Sequence, residues 1–355
     1  MRAWGGEQVE QAVASAVSLL RTAVDRDWDG VRAGRLEWSC RRTAEHTAQA
    51  LFTYAKQLAG RAQDACLPFR LVLDEGTGTA DVLRMLETAG ALLAATVRTA
   101  PRAARAFHPC PFRSANREGF AAMGVTEVLL HTHDIASGLG LAYEPPAGLC
   151  EGVLPRILPR VRPGAAPWPT LLWATGRGEL PGRAPVTEWQ WTNPPVLPTE
   201  RLTLEGVCPA AARDLNHGGD GGWEWVGAQP ADGTRVGAGL VVKQYEDGVF
   251  HPQWGMYALV RREDDRAVGA MGFHGVPDAT GRVEIGYDLV VDARGKGYAT
   301  EALRALSAWA LEQDGVRTVA AVVARENTPS QNVVTRAGFT RVAENGADYV
   351  YELRA

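Results

Sequence analysis

The sequence predicts a multidomain chain: an up-down four-helix bundle, then a small α+β appendix, then an α/β domain. Three observations predict it. Four segments before residue 140 carry apolar residues at a helical period. After residue 200, strand-like apolar runs alternate with helical ones. Between them, Asn193-Pro194-Pro195-Val196-Leu197-Pro198 stops both strand and helix and stiffens the join. The expected domains are 1–143, 144–197 and 198–355. A chain of 355 residues is long enough for each to bury a core.

The first helix is expected over about 7–28, with Val9, Val13, Val17, Leu20 and Val24 on one stripe. Ser39 is placed to cap a second helix running to about 61, with Ala44, Ala48, Leu51, Ala55 and Leu58 inward. A third is expected over 79–99, carried by Val82, Leu86, Leu92, Leu93 and Val97, and a fourth over 115–139. In the appendix, residues 150–161 read as a helix interrupted by Pro155 and Pro159, and 168–175 and 186–192 as short strands. In the last domain, strands are expected over 201–207, 254–262, 267–273, 283–291, 318–324 and 349–353, the last closing the sheet. Short helices are expected over 210–216 and after Asn327, and a longer one after Gly297 with Ala299, Ala302, Leu303, Leu306 and Ala310 on one face.

Composition narrows the classes. Hydrophobic residues make up 46% and charged residues 22%, as in an ordinary globular protein. No apolar run is long enough to span a bilayer, and the start MRAWGGEQVEQ lacks a signal-peptide pattern, so a cytoplasmic location is expected. Cys40, Cys66, Cys110, Cys150 and Cys208 are scattered and show no C-x-x-C, so they read as reduced thiols. The net charge is −4, with the acidic excess in the second half. That balance argues against a nucleic-acid partner and mildly favours an amine substrate. The plainer reading of the acidic clusters Glu246-Asp247 and Glu263-Asp264-Asp265 is solvated turns.

The strongest chemical signal lies between residues 283 and 339. An apolar strand leads through Asp292-Ala293-Arg294-Gly295-Lys296-Gly297 into a helix. Glycines there let the backbone approach a ligand, and the unpaired N–H groups of the helix start favour an anion. The turn Arg294-Gly295-Lys296-Gly297-Tyr298-Ala299 and the closing Asn327-x-x-Ser330…Gly338-Phe339 resemble the GNAT superfamily of acetyl-CoA-dependent acyltransferases. The closing motif looks like that of the branch that includes the ribosomal-protein N-terminal acetyltransferases.

The resemblance covers roughly 198–355. It implies a mixed, mostly antiparallel sheet, an acetyl-CoA cofactor, and an amine acceptor on a small molecule or a protein N-terminus. It places Arg294, Gly295, Lys296, Gly297, Tyr298, Ala299 and Thr300 around the diphosphate, and the backbone of Leu289, Val290 and Val291 beside the thioester. Glu284 is the candidate base, against the plainer reading of a carboxylate paired with Arg282. The family's tyrosine acid would stand seven residues after the asparagine, where this chain has Val334. Ser330 is the expected substitute, with Asn327 orienting CoA. Trp223 and Trp225 would form an acceptor wall or simply pack.

A second signal lies in the fourth helix. Glu127, His131 and Asp134 share one stripe, and His46 on the second helix could join them. Three ligands with an open position suit a catalytic divalent cation; the plainer reading is a Glu–His pair on a solvated face. Trp38-Ser39, His46, Glu127-x-x-x-His131-x-x-Asp134 and Leu172-Trp173-Ala174-Thr175-Gly176-Arg177 resemble the DinB-like family that includes mycothiol-dependent maleylpyruvate isomerases. The resemblance implies zinc or a similar ion on His46, Glu127 and His131, activating a small thiol such as mycothiol. It covers about 4–195. His133 lies off the stripe, and His108 beside Cys110 lies within reach of the site. A metal- and thiol-dependent transferase or isomerase, with the second half only binding acetyl-CoA, is the alternative activity, and a homodimer is one expected assembly.

Overall fold

The computed structural model describes residues 4–109, 111–164 and 166–354. Cys110 lies outside them. The chain divides into two compact units, one reaching to Asn193 and the other starting at Pro194.

The first unit is helical. Its long helices are α1 (Gly6–Leu20), α2 (Cys40–Gly60), α3 (Thr79–Thr99) and α4 (Arg117–Gly138), with a two-stranded ribbon of β1 (Arg105–Ala106) and β2 (Ala115–Asn116) leading into the last. Two of them start on a side-chain cap. The Ser39 hydroxyl accepts from the Arg42 amide and caps α2, and Asn116 caps α4 through the Gly119 amide. Helices α1 and α2 both pack on α3 and on α4. Helix α4 is buried on nearly every side, which explains why its sequence shows apolar residues all round. Two shorter helices follow, α5 (Ala147–Ile157) and α6 (Pro167–Ala174). Helix α5 contains Pro155 and ends ahead of Pro159.

Two expectations for the appendix are corrected. The stretch 168–175 is helix α6, because Pro167 sits in its first turn, where a missing N–H costs nothing. An apolar run of that length cannot be told from a buried strand by period alone. Residues 186–192 join no sheet; Trp189 and Trp191 pack edge to face at 4.6 Å, and Trp191 covers the helical core.

The second unit is an eight-stranded sheet with helices. In chain order it contains β3 (Val196–Pro198), β4 (Leu202–Gly206), α7 (Pro209–Asn216), α8 (Asp232–Asp247), β5 (Met256–Arg261), β6 (Ala267–Phe273) and β7 (Arg282–Leu289). These are followed by α9 (Tyr298–Leu311), β8 (Thr318–Ala324), α10 (Thr328–Arg336), β9 (Thr340–Asn345) and β10 (Asp348–Arg354). The strand order is β3-β4-β5-β6-β7-β8-β10-β9. Every neighbouring pair is antiparallel except β7 with β8. The sheet is therefore mixed and mostly antiparallel, as expected.

Three features depart from the sequence reading. Helix α8 was not anticipated, because Gly233, Gly237 and Gly239 dilute its pattern; Thr234, Ala238, Val241 and Tyr245 still mark one buried face. The join contains strand β3, which pairs with β4 from Val196↔Glu205 to Pro198↔Thr203. Strand β10 does not close the sheet; β9, exposed along its whole length, lies outside it.

One detail of the sheet positions the site. The parallel pair β7–β8 is in register only from Arg282↔Thr318 to Glu284↔Ala320. Beyond that, β7 stays bonded to β6 as far as Leu289, and β8 stays bonded to β10 as far as Ala324. The two strands part, opening a wedge in the middle of the sheet.

Candidate functional sites

At the open end of the wedge, β7 runs through Val290, Val291 and a tight turn into α9. Gly295 has φ 74° and Gly297 has φ 84°, in the left-handed region that a Cβ disfavours. Gly297 occupies the cap position of α9, and no side chain caps the helix, so its first amides face outward with the positive end of the dipole behind them. The turn is built by its own side chains. The Arg294 guanidinium donates to the Leu289 carbonyl at 3.1 Å and sits 3.4 Å from Asp288, and Lys296 Nζ donates to the Asp292 carbonyl at 2.8 Å. Tyr298 and Ala299 point into the core, so only their backbone is offered to a ligand; Thr300 is half-buried, and Val291 is exposed.

A clasp from the other end of the unit holds this turn. Glu301 accepts from the Thr199 hydroxyl at 2.6 Å and from the Arg201 amide and guanidinium at 2.7 Å each. Arg201 also donates to the Lys296 carbonyl at 2.9 Å and lies over the Tyr298 ring. Burial alone would raise the Glu301 carboxyl, but these donors outweigh it and hold it below the ordinary range. Beside the clasp is a cleft of about 670 Å³, lined by Arg201, Gly297, Thr300, Arg304 and Arg336 among others. The Arg304 guanidinium donates to the Arg336 carbonyl there. The lining carries three cationic side chains, Arg201, Arg304 and Arg336, and two carboxylates, Glu200 and Glu301.

The residues expected to carry the chemistry lie along the wedge. Glu284 is half-exposed, and its Oε1 is 3.0 Å from His274 Nδ1. Its partner is thus a histidine and not Arg282, which faces Glu352 at 3.5 Å. His274 is brought there by the β6 end, and a Cβ at Gly286 would meet its Nε2 at 2.9 Å. Sequence spacing gave no sign of this pair.

Asn327 caps α10: its Oδ1 accepts from the Ser330 amide at 3.1 Å. Ser330 Oγ lies 2.7 Å from the Tyr287 hydroxyl, another contact the sequence did not announce. Val334, seven residues after Asn327, is fully buried. Trp223 and Trp225 are both buried: the first donates to Glu205 at 3.0 Å and the second to the Asp220 carbonyl at 2.9 Å. Packing accounts for them.

The first unit brings its own cluster together. Ligand atoms of His46, Glu127 and His131 all lie within 4.8 Å of one another. Glu127 Oε2 is 3.1 Å from His131 Nε2 and 3.8 Å from His46 Nε2. Glu127 Oε1 accepts from the Tyr54 hydroxyl at 2.9 Å. His131 Nδ1 faces Asp134 at 3.1 Å, and Asp134 is held by the Arg177 guanidinium at 3.0 Å. Thus Nε2, not Nδ1, is the nitrogen turned to the cluster.

Burial works against the charge on each of these groups. For Glu127 the donors His131, His46 and Tyr54 outweigh it and lower the carboxyl; for His131, Asp134 and Glu127 outweigh it and raise the imidazole. For His46 burial prevails, and its pKa falls. The side chain of His46 is 40% exposed against 9% for His131, so the cluster opens on the His46 side. His133 is apart, edge-on to Trp168 at 5.6 Å, and His108 contacts Tyr54 and Phe120. Burial pushes the Cys40 thiol up to about 11 and Cys150 to about 12, which keeps both as inert thiols.

Residues 201–340 match the family model described as an acetyltransferase (GNAT) domain. The uncharacterized N-acetyltransferase p20 of Bacillus licheniformis is 30% identical over 101 residues, 28% of this chain and 57% of that protein. The uncharacterized N-acetyltransferase YjdG of Bacillus subtilis is 35% identical over 83 residues, 23% of this chain and 49% of that protein. The chain thus spans about half the length of these curated relatives. Among solved structures, the acetyltransferase from Agrobacterium tumefaciens is 26% identical with a TM-score of 0.34, over 48% of this chain and 100% of that one. The second unit carries an acetyltransferase (GNAT) domain. Among the described residues, no helix is long and apolar enough to cross a membrane.

Proposed function

We propose that the second unit transfers an acetyl group from acetyl-CoA to an amine, on a small molecule or a protein N-terminus. The observation that carries this reading is the wedge between β7 and β8 ending on the Gly295–Gly297 turn. A ligand with an amide-bearing arm and a diphosphate fits both parts: strand edges for the arm, helix amides for the phosphates. The diphosphate lies on the backbone of residues 294–300, and the thioester lies beside Leu289, Val290 and Val291. Glu284, with His274 at its side, takes the proton of the amine, and Ser330 supplies a hydrogen bond to the departing sulfur. By strand alternation, Glu284 and Tyr287 project from opposite faces of β7, so the amine and the thiol meet the carbonyl from different sides. Asn327 serves this site by capping α10. Titration of the protein with acetyl-CoA in a calorimeter tests the reading. Micromolar binding is expected, and the absence of heat would remove it.

A second reading concerns the first unit, and the His46–Glu127–His131 cluster favours it. This unit takes up a divalent ion, zinc first among them, in a cytoplasmic setting where thiols stay reduced. Ligand atoms around a tetrahedral ion at about 2.1 Å stand about 3.4 Å apart, and the two separations from Glu127 Oε2, 3.1 and 3.8 Å, bracket that value. Such an ion would lower the pKa of a bound thiol of the mycothiol class and hold it as thiolate. His46, Glu127 and His131 would hold the ion, and Tyr54 and the Asp134–Arg177 pair would orient them. Elemental analysis of the purified protein checks this: one equivalent of metal is expected, falling on His46→Ala.

A further inference from the structure

Tyr287 stands on β7 just past the point where β8 has turned away; its Cα partner on the other side is Met271. The half-buried side chain bridges to α10, 43 residues later. There its hydroxyl is 2.7 Å from Ser330 Oγ and 3.3 Å from the Ser330 carbonyl. Burial pushes the phenol's pKa up, so it keeps its proton at neutral pH. Either hydroxyl can donate across the 2.7 Å contact; the phenol has one proton, and Ser330 Oγ is nearer to it than the carbonyl. The Ser330 amide is already engaged with Asn327, which fixes the residue at the start of α10. A hydroxyl that accepts from a phenol is left with its own proton to donate elsewhere.

We infer that Tyr287 is a positioning residue for Ser330: its phenol, spanning the wedge, donates to Ser330 Oγ and turns the serine proton toward the sulfur of the bound thioester. This rests on the acetyl-transfer reading of the site. In the transfer, the C–N bond forms and the C–S bond breaks, and the electron pair leaves on sulfur. The serine O–H holds that charge through a hydrogen bond. The proton lost by the amine to Glu284 reaches the thiolate through water, so Tyr287 and Ser330 end the step as they began it. An isolated serine would spread its proton over several rotamers; the phenol selects among them.

The test uses Tyr287→Phe, Ser330→Ala and the double variant of the full chain. The readouts are acetyl-CoA affinity by calorimetry and thiol release from acetyl-CoA. Thiol release is followed with a panel of primary amines and free-N-terminus peptides, and without acceptor as hydrolysis. Phe keeps the ring and removes only the hydroxyl. The expected result is unchanged affinity, kcat lower by about tenfold in Tyr287→Phe, and no further loss when Tyr287→Phe is added to Ser330→Ala. Tyr287→Phe at wild-type rate overturns the inference. So does a loss that persists in full in the Ser330→Ala background, because a structural strut would act without the serine. Wild-type protein that neither binds nor turns over acetyl-CoA removes the acetyl-transfer reading itself; binding and turnover with an unaffected Tyr287→Phe removes only this inference.

Discussion

At Gly297 the backbone stands at φ 84°, one residue before α9 begins. A β-branched side chain there costs about 1–2 kcal/mol in strain and places bulk over the amides offered to a diphosphate. Gly297→Val is therefore expected to weaken acetyl-CoA binding by at least tenfold in calorimetry, with a modest fall in Tm. In the other unit, Asp134 is the link between His131 and Arg177. Asp134→Asn removes the charge that fixes the imidazole, and metal affinity measured by competition with a chelating dye should fall about 10- to 100-fold. The glycines of the turn and the Glu127–His131 spacing were legible because they are local. The contacts Tyr54–Glu127, Arg177–Asp134 and Tyr287–Ser330 were not, since 73, 43 and 43 residues separate the partners. His274 beside Glu284 escaped for a related reason: nothing in the chain marks which cation a strand will bring alongside a carboxylate.

Among elements, α9 is the one whose position the site most needs, and Glu301 in its first turn ties it to Thr199 and Arg201. The folded state lowers this carboxyl below the ordinary value near 4.3. Its contribution to stability is therefore full above about pH 4.3 and is lost as pH falls through the lowered folded pKa. Acid unfolding followed by tryptophan fluorescence should be less steep in Glu301→Gln than in wild type over that window. The same variant should start from a lower stability at neutral pH. Elements with a clean period were legible: helix α3 and strand β6 lie where the pattern put them. Helix α8 was hidden by three glycines, and α6 was hidden by a short apolar run whose proline opens a helix as readily as it ends a strand.

For the whole molecule, the division between Asn193 and Pro194 sets what can be separated. The proline-rich join is partly sheet: β3 covers β4, and the Pro195 carbonyl accepts from the Gly206 amide at 2.8 Å. A fragment starting at Pro194 keeps that edge. One starting at Thr199 exposes the β4 ladder and should show self-association by light scattering and a lower Tm.

The wedge between β7 and β8 leaves the β8 side of residues 285–289 without a strand neighbour. Amides on that side have no ladder to protect them, so they would take up deuterium early while their alternates, bonded to β6, stay dark. A cofactor whose arm carries its own peptide-like groups would fill the gap as a strand does. The ligand would then complete the fold, and its arrival would be read first as a local gain in rigidity.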